Sequence, residues 1–239
     1  MQEIQIHYHT GPYLSAPHAY QAEIICKPLA DGVAMEIRQT YIDREHLDEK
    51  DIVSEGFTTE DDFAWQGKLP MVWLRNLEHR VGHLQLAEQP SEQLYLEIVS
   101  NEETKGGAPL DEAIWITFTE QLIQACLEAG EKELPMELVL GRLEKNNFYE
   151  KGRLVWSFAN RKLTGQILDG KTKSFSEEDW ISSQTALRKW IETEAQQVDL
   201  YQVPSFKGLF WLLNGEVWLP YGGGAGIPPL HWIEDELGM

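Results

Sequence analysis

The chain has 239 residues, enough for one large domain or two small ones around a sizeable core. Hydrophobic residues make up 42% and charged ones 25%, a composition that excludes a disordered chain. Its 39 acids against 20 bases give a net charge of −19, which repels nucleic acid and anionic membranes and excludes both as partners.

A basic protein is the partner class that this charge favours, although solubility is the plainer reading of it. No apolar run approaches the roughly 20 residues of a membrane helix. The start, MQEIQIHYH, has neither part of a signal peptide, so a cytoplasmic location is expected. Cys26 and Cys126 stand alone in apolar surroundings, without a C-x-x-C pair, and read as buried free thiols.

Three strands are expected first. Ile4, Ile6 and Tyr8 alternate with Glu3, Gln5, His7 and His9, the period of a half-buried strand. Tyr20, Ala22, Ile24 and Cys26 repeat the pattern. A turn at Asp31-Gly32 then leads into Val33, Met35, Ile37 and Tyr41. A helix follows from an Asp43 N-cap to Gly56, and Thr59 to Asp62 resembles a capping box ahead of Phe63 and Trp65. Pro70 opens a further helix with Leu74, Leu77 and Val81 on one face.

Residues 93–100 return to strand, and 101–109 (NEETKGGAP) read as a loop and a candidate subdomain seam. A long helix runs to Gly130, its first half apolar nearly all round, which predicts burial on more than one side. Past Pro135, strands are expected at 136–144, 152–159 and 162–169. A helix then opens with Ser176-x-x-Asp179 and carries Trp180, Leu187 and Ile191, and Asn214-Gly215 turns a final hairpin. Strands grouped, then helices grouped, twice over, predict an α+β fold: antiparallel meanders with helices on one face, in two halves of similar plan. The whole is read as a single domain, 1–239.

Candidate chemistry comes from three places. YGGGAGIPPL, residues 221–230, lacks G-x-G-x-x-G spacing and a Walker lysine, and its two prolines remove backbone donors. A turn is therefore preferred over a lid. As a lid it would bind a ligand with Trp218, Tyr221, Gly223, Gly224, His231 and Trp232. His7 and His9 share a strand face with His18 nearby, a candidate metal set. His79 and His83 have helical spacing but lack the Glu of a zinc protease motif. Of nine tryptophans, Trp73, Trp115, Trp180 and Trp190 read as core, while Trp65, Trp211 and Trp218 are candidates for a stacking platform. No cofactor is expected. The preferred function is a binding or interaction module. The alternatives are a hydrolase assisted by zinc or a similar ion on His7, His9 and His18, and a structural subunit docking a basic partner.

Overall fold

The computed structural model describes residues 3–87, 89, 91–100, 103–144, 147–167, 172–195 and 208–220. Chain contacts divide it into two compact units, Met1–Glu133 and Leu134–Met239. Each holds one antiparallel sheet of six strands, so the fold is α+β in two similar halves.

In the first unit the meander β1 (Glu3–His9), β2 (Tyr20–Leu29), β3 (Gly32–Tyr41) is extended by β4 (Phe63–Pro70). Helix α1 (Glu49–Ser54) precedes β4 and α2 (Met71–Gly82) follows it. Then come β5 (Leu94–Ser100), β6 (Glu103–Gly107) and α3 (Glu112–Ala129). The strand order is β4-β3-β2-β1-β5-β6. Register aligns the apolar positions into rungs: Leu96, Ile6, Ile24, Ile37 and Trp65 lie side by side, and Ile98, Ile4, Cys26 and Met35 form the next. This face lies under the helices, with α2 against β3 and β4, and α3 against β1, β3 and β4. Trp73 and Trp115 both meet the Phe118 ring, at 5.7 and 5.8 Å between centroids, and tie α2 to α3. Cys26 and Cys126 are free thiols buried in this layer, and burial pushes both well above the ordinary thiol range.

The second unit repeats the plan. Strands β7 (Met136–Glu144), β8 (Asn147–Ser157), β9 (Lys162–Ile167) and β10 (Thr172–Ser174) precede α4 (Glu177–Ala195), β11 (Gly208–Leu213) and β12 (Val217–Pro220). Their order is β10-β9-β8-β7-β11-β12. Read by position, both sheets run fourth, third, second, first, fifth, sixth, with a helix between fourth and fifth. The core of this unit joins Leu138, Leu140, Leu154, Trp156 and Trp211 to Trp180 and Leu187 of α4. Trp156 donates its indole N–H to the buried Ser183 hydroxyl at 2.8 Å, which fixes the helix to the sheet. The expected capping box forms: the Ser176 N–H and the Asp179 carboxylate meet at 2.9 Å, and the Asp179 N–H donates to Ser176 Oγ at 3.1 Å.

Several expectations are corrected. The helix drawn from Asp43 to Gly56 is a 3-10 turn, Arg44–His46, followed by the short α1, whose N-cap is Asp48. Residues 59–62 do not start a helix. Thr58 donates its N–H and its hydroxyl to Asp61 at 2.7 and 2.8 Å, a closed turn that launches β4. The 101–109 stretch contains a strand, β6, paired with β5. The first half of α3 is covered on one side only, since Ile114 is half-exposed. The turn between β2 and β3 is Ala30-Asp31, and Gly32 is already in strand. A Cβ there would meet the Leu69 carbonyl oxygen at 2.3 Å, so glycine is needed for β4 to approach.

Candidate functional site

The sheet of the first unit leaves its other face open. Here the alternation of β1 places His7 beside Tyr95 on β5 and Glu23 on β2, with Arg38 next along the same rung. All four side chains are exposed. The His7 and Tyr95 rings are 6.2 Å apart between centroids. A shallow depression of about 170 Å³ lies over them, lined also by His9, Glu92 and Gln93. The His9 ring rests on Gly11, where a Cβ would lie 2.5 Å from His9 Cε1.

His18 is not brought to this pair. Its ring stands edge-on to Phe57 at 5.0 Å, and Nε2 is 3.6 Å from Glu55. Strand period unites His7 and His9, but the loop after them carries His18 to a different neighbour. Among the described residues, no group of three His, Cys, Asp or Glu is placed to hold a metal ion.

The glycine loop reading falls mostly outside the described residues: Tyr221, Gly223, Gly224, His231 and Trp232 lie in 221–239. Trp218 does not. It is half-buried and edge-on to Phe148 at 5.4 Å and to Phe210 at 6.0 Å. Trp211, one strand over, faces the opposite side and is fully buried in the core. Trp65 lies over Gly67 and against Gly130 at the end of α3, where a Cβ on either glycine would strike the ring. Within the second unit, Trp211 and Trp218 therefore lie on opposite faces of their sheet and form no common platform.

The residues that sequence reasoning undervalued are those between β3 and β4. Arg44 sits at the centre of this lobe. Its Nε donates to the Pro17 carbonyl at 2.9 Å, and its Nη1 to the Thr58 carbonyl at 2.9 Å and to Asp61 at 3.0 Å. The guanidinium lies 3.6 Å above the Tyr41 ring and 4.7 Å from that of Phe57. Burial acts to raise the Asp61 pKa. The Thr58 N–H and hydroxyl and the Arg44 charge outweigh it and hold that carboxyl below its ordinary range.

Around this clasp the lobe exposes Asp43, Glu45, Asp48, Glu49, Asp51, Glu55, Glu60 and Asp62. Among the described residues, no lysine or arginine bridges any of the eight. In the second unit, by contrast, Glu137 and Glu150 flank Arg153 at 2.7 and 2.8 Å, and Glu177 meets Arg161 at 2.7 Å. The charge is divided accordingly. Residues 1–133 hold 25 acids and nine bases, a net −16, while residues 134–239 hold 14 and 11, a net −3.

The chain matches no family model, no curated protein and no solved structure. Its chemistry is therefore read from its own residues. Among the described residues, no helix is long and apolar enough to cross a membrane.

Proposed function

We propose that the chain is a binding module whose first unit docks a basic segment of a partner protein on the acidic lobe, residues 43–62. One observation carries the reading: eight exposed carboxylates without a lysine or arginine partner among the described residues, on a lobe that Arg44 ties to the β1–β2 loop at Pro17 and stacks on Tyr41 of β3. Carboxylates already paired within a chain have little left to offer a ligand. Unpaired ones held on a fixed backbone attract opposite charge at long range and speed encounter. The lobe is also what the first unit adds to the shared plan. It lies in the 21-residue connection 42–62 between β3 and β4, where the second unit has four residues between β9 and β10. Connections carried on a rigid scaffold are where binding functions concentrate.

The test uses a lysine-rich peptide of defined sequence and two variants of equal net charge. One is Asp48→Asn/Glu49→Gln/Asp51→Asn in the lobe, the other Glu78→Gln/Glu103→Gln/Glu131→Gln outside it. Affinity should fall about tenfold or more between roughly 50 and 300 mM salt, because exposed charges are screened over about 8 Å at physiological ionic strength. The lobe variant should weaken binding well beyond the control variant. Equal losses in both would assign the effect to overall charge and defeat the reading.

A further inference from the structure

The C-terminal end of α2 presents two exposed histidines that the acidic lobe does not use, His79 in its last turn and His83 at its C-cap. They are four residues apart, and their rings lie side by side at the helix end. Their ring centroids are 4.6 Å apart and the planes are inclined by 49°. An imidazole bound through Nε2 at about 2.0–2.1 Å puts its ring centre about 3.2 Å from a metal; two such rings at about 90–109° have centres about 4.5–5.2 Å apart. The observed separation falls inside that window.

The tautomer also suits a metal. His83 Nδ1 lies 2.8 Å from the His79 carbonyl oxygen. That oxygen can only accept, so in the neutral ring Nδ1 carries the hydrogen and Nε2 keeps its lone pair. Arg80, next to His79, lays its guanidinium on the Phe118 ring at 4.6 Å. The carbonyls at the end of the helix favour a cation there as well.

We propose that His79 and His83 form a surface chelate for a late first-row divalent ion, copper(II) most tightly and zinc less so, with water completing the coordination. The ranking follows the general order of affinity for nitrogen ligands.

Copper(II) titrated into the untagged full chain is the test, read by calorimetry and by electron paramagnetic resonance at one equivalent. The spectrum should show two equatorial imidazole nitrogens. His79→Ala and His83→Ala should each weaken binding by about tenfold or more, because one remaining ligand forfeits the effective concentration of the second. His7→Ala/His9→Ala should leave the signal in place. Both α2 histidines are exposed, so circular dichroism of the variants should match the parent. Unchanged affinity in the His79→Ala/His83→Ala protein overturns the proposal, as does an equal loss in the His7→Ala/His9→Ala protein.

Discussion

The two units follow one strand order but place their largest buried rings differently. In the first, the fully buried aromatic rings come from the helices as Trp73, Trp115 and Phe118, over a sheet face of Ile4, Ile6, Ile24 and Ile37 with Tyr8 and Trp65 beside them. In the second, the strands themselves carry Trp156 and Trp211, and α4 adds Trp180. A shared topology therefore does not require a shared packing solution. It requires only that total volume and the alternation of faces be kept. The units differ again at their surfaces: Arg153 and Arg161 of the second each meet carboxylates, while eight exposed carboxylates of the first unit's lobe have no lysine or arginine partner among the described residues.

The largest test of this difference is Trp156→Ala. Truncating a buried tryptophan on a strand should cost about 3–5 kcal/mol and leave the Ser183 hydroxyl with only its own donation to the Trp180 carbonyl. Denaturant unfolding should show the transition of the second unit move while that of the first stays. A single transition moving as a whole would mean that the units do not unfold separately.

Arg44→Met should cost roughly 3 kcal/mol, the usual penalty when one partner of a largely buried ion pair is removed. Its effect should be confined to the first unit. Acid sharpens the result. A carboxyl held low in the folded state gives stability that is present above its unfolded value of about 3.9 and lost as pH falls below it. Arg44→Met should weaken part of that dependence, so its stability should decline less steeply between about pH 5 and 2 than the parent's. Equal slopes would remove Arg44 from the account of Asp61.

The smallest effect is expected at Gly215, which has φ 78° in the turn after Asn214 at 49°. Gly215→Ala should cost about 1 kcal/mol, the price of a left-handed conformation for a residue with a Cβ, and should touch only the second unit's hairpin. Gly32→Ala should exceed it, because the Leu69 carbonyl obstructs a Cβ there on top of the residue's own positive φ of 156°. The reverse order would show that β4 yields more easily than its register implies.

Much of the fold was legible because it is local. Alternation at period two marked β1, β2 and β3, and Ser176 with Asp179 formed the cap that their spacing announces. The same kind of signal misled at 59–62. A polar pair three apart can close a turn as well as a helix, and Phe63, Trp65, Gly67 and Leu69 then alternate as a strand. β6 could not be read from Thr104-Lys105-Gly106-Gly107, which has low strand propensity and owes its form to pairing with β5. The site was less legible still. His18 meets Glu55 across 37 residues of sequence, and Arg44 reaches back to Pro17, so neither partner is visible in a local window. The net charge was plain from composition. Where it goes unpaired depends on tertiary pairing, which composition does not contain.

An open six-stranded ribbon ends in raw edges, each a row of hydrogen-bonding groups that another molecule's strand can use. β6 is such an edge, and its exposed residues blunt it. Lys105 sits opposite Ile98, on the same side of the sheet as the aliphatic rungs, where an added strand would have to bring an apolar side chain. Gly106 beside it has the Tyr95 hydroxyl where its own Cβ would be, leaving no room to build a flatter, stickier surface. A second copy pairing along this edge would therefore have to set an apolar side chain beside the Lys105 ammonium group, a cost that an edge of plain aliphatic residues would not impose.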